Sequence, residues 1–233
     1  MHTPLNEAQL AALRQINTPT VSNIVELFGV RDRREGFMSN AVRCLFPEMG
    51  VMVGYAVTAT SRALHPPKHD ALKVLFAYYD AAMRTPAPRV SVIADLDDPP
   101  GVGAFFGEVN TNIHKAQGFV GHVTNGASRD LDEVRVAKFH LFASGPCVSH
   151  AHIHLVQADV PVTVGGLLVQ PGDLIHADQH GVMAIPLEIA AEVAGRLADI
   201  EAKEGPIIRL CQSQEFTLAK LKVFIKSRKG KEH

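Results

Sequence analysis

Hydrophobic and polar positions recur with two different periods along the 233-residue chain. The helical period comes first. Asn6 is a good N-cap ahead of Leu10, Leu13 and Ile16, which fall on one helical face, and Thr20 is the predicted cap of a second helix closed by Gly29. Residues 50–60 (GVMVGYAVTAT) then turn β-rich, and Val90 to Leu96 is a short apolar run of buried-strand type. Between them Leu72, Leu75, Phe76 and Tyr79 recur at helical spacing within Asp70 to Arg84, which predicts strand, helix, strand. The alternation repeats: Phe105, Val109, Ile113 and Ala116 form a helical stripe closed by Gly118, FVGHVT (119–124) reads as a strand, and a helix starts near Leu131. From 152 to 186 short β runs are separated by DVP, GG, PGD and DQHG, turn signals at a spacing that predicts mixed rather than all-parallel pairing. A last helix over Leu187 to Lys203 places Ile189, Val193, Leu197 and Ile200 on one side, with Gly205-Pro206 as its expected stop. With no repeat and no linker, the expectation is one α/β domain over residues 1–204 and a helical C-terminal extension over 205–233.

Composition narrows the partners. At 46% hydrophobic and 20% charged residues the chain is of ordinary globular type. Lys+Arg 23 against Asp+Glu 24 gives a net charge of -1 and removes the whole-domain positive field of nucleic-acid binders, so no nucleic-acid partner is expected. No apolar run approaches the roughly 20 residues that span a bilayer. The start, MHTPLNEAQL, lacks the basic and apolar regions of a secretion signal. The expectation is a cytoplasmic protein with no membrane partner. Cys44, Cys147 and Cys211 lie far apart without CxxC spacing, which argues for a reducing compartment and against a disulfide framework or thiolate zinc site.

Candidate chemistry concentrates between Gly101 and Asp130. Glu108 stands near a helix start, and Arg129-Asp130 sits in a strand-to-helix turn. Unpaired first-turn N–H groups near Gly107 suit a carboxylate, Arg129 can clamp it in bidentate fashion, and Asp130 can hold a hard divalent cation. On pattern alone Asp130, with Glu133 three residues on, is a plain N-cap; one carboxylate can serve both roles. His150, His152 and His154 would project from one face if they lay on a strand, as zinc ligands, a polar face or a subunit contact. Asp173 and Asp178 read as turn formers. No GxSxG, HExxH, Walker or Rossmann GxGxxG pattern occurs, and Lys115 or Lys138 would be needed for a Schiff-base alternative.

The blocks PTVSNIVELFGV (19–30), GYAVTAT (54–60), GEVNTNIHKAQGFVGHVTNGASRD (107–130) and PVTVGGLLVQPGDLIHADQHGVMAIP (161–186) resemble the family that joins 4-hydroxy-4-methyl-2-oxoglutarate aldolases to the regulator of ribonuclease activity A (RraA-like). The resemblance implies a swivelling β/β/α-type sandwich with a mixed central sheet, assembled as a homotrimer or a dimer of trimers. It implies a class II, metal-dependent pyruvate aldolase that also decarboxylates oxaloacetate, or alternatively a non-catalytic regulator binding a ribonuclease or helicase. The aldolases share an Asp, twenty residues, then Arg-Asp; here Glu108 stands in the first position and Arg129-Asp130 in the last two. By similarity a small 2-oxo acid substrate would sit on Gly107, Glu108, Val109 and Asn110. Arg129 would bind it, Asp130 would hold Mg²⁺ or Mn²⁺, and Glu108 or a water it orients would act as base. Glu204 is the candidate for a glutamate reaching in from a neighbouring subunit.

Overall fold

Asn6 caps the first helix, α1 (Glu7–Arg14), through a reciprocal pair: its side chain accepts from Gln9 N–H and Gln9 Oε1 accepts from Asn6 N–H, each at 2.9 Å. Leu10 and Leu13 turn inward as expected. The second helix, α2 (Thr18–Phe28), starts before Thr20. Asn17 is its cap, accepting from Thr20 N–H at 2.9 Å, because a short amide oxygen reaches the third N–H of a first turn in which Pro19 needs no acceptor. Gly29 closes it at φ 64, as expected.

The computed structural model describes residues 3–229, in two units that divide between Ala194 and Gly195. In the first unit α2 is followed by β1 (Arg43–Cys44), β2 (Met52–Arg62), α3 (Ala71–Arg84), β3 (Arg89–Asp95), β4 (Ala104–Phe106), α4 (Glu108–Ala116), β5 (Phe119–Thr124), β6 (Ala127–Ser128), α5 (Leu131–Val136), β7 (His140–Ala143) and β8 (Gly145–Pro146). Then come β9 (His154–Ala158), the hairpin of β10 (Val162–Val164) and β11 (Leu167–Val169), β12 (Leu174–Asp178), β13 (Gly181–Ile185) and α6 (Ala190–Val193). The strand, helix, strand alternation and the close-spaced β runs after residue 152 are therefore as predicted.

The main sheet runs β1-β7-β5-β3-β2-β12-β13, with β9 also on β2. Its centre, β2, β3, β5 and β7, is parallel, and the flanking pairings are antiparallel. The long strand β2 carries two partners on one edge, β12 along Met52 to Tyr55 and β9 along Ala59 to Arg62. Successive side chains of β3 enter opposite cores: Val90, Val92 and Ala94 face the β10–β11 hairpin, and Ile93 faces the side covered by α3 and α5. This is the mixed α/β architecture with C-terminal helices that the sequence implies.

The α4 stripe faces the other way, and the α3 stripe divides. In α3, Leu72 and Phe76 are 62% and 59% exposed, while Leu75 and Tyr79 pack partly buried against the core beside Tyr78, Ala81 and Ala82. In α4, Val109, Ile113 and Ala116 are exposed, Phe105 belongs to β4, and the buried side is Thr111 and His114. The cause is His114. Burial drives its pKa down to about 4, and the neutral imidazole packs as an aromatic ring 4.5 Å from Phe106, 4.8 Å from Phe119 and 5.7 Å from Tyr78.

The second unit holds α7 (Leu197–Gln212) and α8 (Leu218–Lys229). The single helix expected over 187–203 is instead α6, a 3₁₀ turn at Ala194–Arg196 and α7, and α7 continues through Gly205-Pro206. Pro206 removes one N–H from the helix without ending it. The two compact units divide between Ala194 and Gly195. No helix of the described residues is long and apolar enough to cross a membrane.

Candidate active site at the Arg129-Asp130 turn

A small parallel sheet, β4-β6-β8, brings two strand-to-helix turns side by side. Phe106 of β4 pairs with Ser128 of β6, and Arg129 N–H donates to Phe106 O at 2.9 Å. The chain leaves β4 through Gly107 into α4 and leaves β6 through Arg129-Asp130 into α5. Glu108 and Asp130 thereby meet across 22 residues of sequence: Asp130 Oδ2 accepts from Glu108 N–H at 3.0 Å, and Oδ1 accepts from Arg129 Nε–H at 3.1 Å.

The N-cap reading of Asp130 holds for its position and fails for its side chain. The residue precedes α5 but is left-handed, φ 53 and ψ 47, and makes no side-chain bond to its own helix. Its carboxylate is turned to the N-terminus of α4 instead. Backbone of this kind costs an L-residue about 1–3 kcal/mol and persists where surrounding structure holds it. Gly107 makes the approach possible, since a Cβ there would stand 2.3 Å from Asp130 Oδ2 and 3.0 Å from Arg129 Cγ. Its backbone is extended, so close approach rather than conformational freedom requires glycine.

The first bond within α4 runs from Thr111 N–H to Gly107 O, which leaves the N–H groups of Val109 and Asn110 without an acceptor in their helix. The free first-turn group expected at Glu108 is already taken by the protein's own carboxylate. Glu108 is exposed, and the Arg129 and Asp130 side chains are about one-third exposed, 33% and 31%. A helix N-terminus, a guanidinium with its two amino groups still available and a partly open carboxylate therefore share one surface. That combination suits an anion with a neighbouring hard cation.

Several residues here escaped notice in the sequence. Asp95 Oδ2 accepts from Gly101 N–H at 2.7 Å, and Asn125 clasps the Asp95 backbone through both of its amide atoms, 2.8 and 2.9 Å. This clasp fixes the loop before β4 to the turn before β6. Burial raises the Asp95 pKa against the opposing N–H bonds from Gly101 and Asp97. The Asn125-Gly126 turn was the available signal. Cys147 also belongs here: its N–H donates to Ser128 O at 2.9 Å, and burial pushes its thiol up while the Arg129 charge opposes that shift.

The remaining predicted residues make none of the hydrogen bonds that join Asp130 to Glu108 and Arg129. His150 and His152 are in a tight turn, closed by Ile153 N–H to His150 O at 3.0 Å, and only His154 is on a strand, so the three do not share a strand face. Lys115 Nζ donates to Ala137 O, and Lys115 and Lys138 are both exposed, unlike the desolvated amine a Schiff base uses. Glu204 is on the exposed surface of α7 in the second unit. Asp173 and Asp178 are turn formers as expected, accepting from Gln170 N–H and His180 N–H at 2.8 Å.

No three His, Cys, Asp or Glu side chains are grouped to hold a metal among the described residues. The donors at the turn are carboxylate oxygens, Asp130 with the exposed Glu108 on the adjoining turn. Magnesium is commonly held by one or two carboxylates with water and substrate oxygens, so this donor set fits a hard, water-rich cation and does not fit a closed zinc site.

The family described as "RraA-like: Aldolase/RraA" matches residues 18–184. Protein DlpA of Legionella pneumophila is 28% identical over 122 residues, 52% of this chain and 20% of DlpA, so the match spans a fifth of that protein. A Halalkalibacterium halodurans protein named "Putative 4-hydroxy-4-methyl-2-oxoglutarate aldolase" is 28% identical over 156 residues, 65% of this chain and 71% of that one. Among solved structures, an uncharacterized protein of Pseudomonas syringae superposes with a TM-score of 0.74 at 26% identity, covering 96% of this chain and 97% of the other.

Proposed function

The chain belongs to the RraA-like family of aldolases and RraA proteins, and from that premise we propose that it is a divalent-metal-dependent lyase releasing pyruvate from a 2-oxo acid. The substrate is of the 4-hydroxy-4-methyl-2-oxoglutarate type, with oxaloacetate decarboxylated at the same site. The observation that carries this reading is the Asp130 carboxylate, which meets the N-terminus of α4 while Arg129 lies on its other oxygen.

Asp130 would hold Mg²⁺ or Mn²⁺, which when bound supplies Lewis-acid polarisation of the keto oxygen. The chain's own residues do the rest. The amino groups of Arg129 and the N–H groups of Val109 and Asn110 bind the 2-oxo acid and stabilise negative charge as it develops toward the pyruvate enolate. Glu108, one methylene longer than the aspartate of the aldolases it resembles, takes the 4-hydroxyl proton directly or through a water. Oxaloacetate loses CO₂ and needs no such base.

The proposed assembly is a homotrimer or a pair of trimers, in which the outward apolar residues of α3 and α4, Leu72, Phe76 and Val109, would be covered. Light scattering of the purified chain reads this directly, and a monomer would refute it. For the activity, the full chain with Mg²⁺ or Mn²⁺ should release pyruvate from oxaloacetate above the metal-only rate, and EDTA should abolish the excess. A folded, metal-supplied chain that turns over neither oxaloacetate nor a 4-hydroxy-2-oxo acid would instead support the non-catalytic regulator.

A further inference from the structure

His154 has no part in the Arg129-Asp130 turn, yet it does not stand alone. Its ring centre lies 5.4 Å from that of His69, with the planes at 56°. The two come from different elements: His69 precedes Asp70, the cap of α3, and His154 opens β9 opposite Arg62 of β2. In each ring one nitrogen is fixed by a backbone carbonyl, His69 Nε2 at 2.9 Å from Leu155 O and His154 Nδ1 at 2.7 Å from His152 O. A carbonyl oxygen only accepts, so those nitrogens carry the hydrogens. The opposite nitrogens, Nδ1 of His69 and Nε2 of His154, hold lone pairs in the neutral rings.

Metal-binding histidines are oriented in this way, with one nitrogen donating to a carbonyl and the other on the ion. The spacing agrees as well. An ion roughly 2.1 Å from a ring nitrogen sits roughly 3.2 Å from the ring centre, and two such rings at a tetrahedral angle have centres roughly 5.2 Å apart.

We infer that His69 and His154 form a second cation site, separate from Asp130, for a borderline divalent transition ion such as Zn²⁺, Ni²⁺ or Cu²⁺. Two neutral nitrogen donors favour these ions over Mg²⁺, which prefers oxygen. Because no third His, Cys, Asp or Glu is grouped with them among the described residues, water completes the shell. His69 lines a groove of about 610 Å³ with Asp70, Lys73 and Gln157, so its side of the pair is open to solvent.

The test uses the full chain without a histidine tag, stripped with a chelator and titrated with Ni²⁺ and Zn²⁺ by calorimetry. The expected result is about one equivalent bound, weakened about tenfold or more by His69→Gln or His154→Gln, unchanged by Asp130→Ala and not displaced by excess Mg²⁺. Proton NMR supplies a readout that needs no variant: substoichiometric Ni²⁺ should first broaden the ring signals of these two histidines. No binding by the wild type, equal binding by both histidine variants, or loss of binding in Asp130→Ala would each overturn the site. None of these outcomes depends on pyruvate release, so the site and the proposed lyase activity fail separately.

Discussion

Two aspartates of this protein do the same thing to a helix and end in opposite situations. Asp178, at the end of β12, accepts at 2.8 Å from the N–H of Thr18, the first residue of α2; Asp130 accepts at 3.0 Å from the N–H of Glu108, the first residue of α4. Both are remote caps. Asp178 also takes His180 N–H at 2.8 Å and His180 Nδ1 at 3.0 Å, and its side chain is 6% exposed. Asp130 has one further donor, the guanidinium next to it in sequence, and is 31% exposed. A carboxylate offers about four acceptor positions. Asp178 is buried with three donors around it, whereas Asp130 keeps room for an external ligand, so one contributes stability and the other can contribute chemistry.

The comparison predicts opposite phenotypes for one substitution. Asp130→Ala should lower pyruvate release by about 10³-fold or more, by removing a ligand to the cation and the order of the turn, while stability changes by about 1 kcal/mol or less. Asp178→Ala should cost about 2–4 kcal/mol by leaving buried donors unpaired, with turnover per folded molecule unchanged. Chemical denaturation with turnover on the same samples checks both, and activity loss in Asp178→Ala at unchanged stability would dissolve the distinction.

The next effect concerns the helix that Asp130 caps. Glu108→Gln should reduce retro-aldol cleavage by roughly 10²–10⁴-fold, the scale of a lost general base, and reduce oxaloacetate decarboxylation much less. Equal losses would assign Glu108 to metal or substrate binding. A smaller effect is expected from Arg129→Lys, which keeps the charge and loses the planar fork: KM for oxaloacetate should rise about tenfold with kcat less affected.

Much of the fold was legible because its signals are local. The Asn6 capping box, the Gly29 stop and the runs that become β3 and β5 depend on a few adjacent residues. What misled was orientation. The stripes of α3 and α4 mark helices correctly, but the inward face of α4 was decided by His114 packing among Phe106, Phe119 and Tyr78, residues from three other elements, and only Leu75 and Tyr79 of the α3 stripe turn toward the core. The spacing of Glu108 and Asp130 was visible, but the bond between them was not, because it needs the β4–β6 pairing and the missing side chain at Gly107. Likewise the histidine cluster suggested one strand face, while the actual partner of His154, His69, lies far away in sequence.

The smallest predicted effect separates the buried carboxylate from buried imidazoles by pH. Burial alone would raise the Asp178 pKa, but the bonds from Thr18 and His180 outweigh it and the net direction is down. Its contribution is therefore present above the unfolded value near 3.9 and is lost as pH falls through the folded value. His114 and His140 are depressed by burial to about 4, so the unfolded chain binds more protons once pH drops below about 6.5. Stability should thus fall between about pH 6.5 and 4 in the wild type and equally in Asp178→Asn, with the two slopes diverging only below about 4. Denaturation midpoints across that range give both slopes, and an Asp178→Asn slope that departs near pH 6 would contradict this division.

The most direct measurement sets the two carboxylates side by side in one assay: metal-dependent pyruvate release from oxaloacetate, corrected for the metal-only reaction, by wild type, Asp130→Ala and Asp178→Asn at equal concentrations of folded protein. The predicted result is release by wild type and Asp178→Asn that EDTA abolishes, and almost none from Asp130→Ala. Undiminished release from Asp130→Ala, or wild-type release that persists in EDTA with pyruvate trapped on a lysine by borohydride, would contradict the role of Asp130.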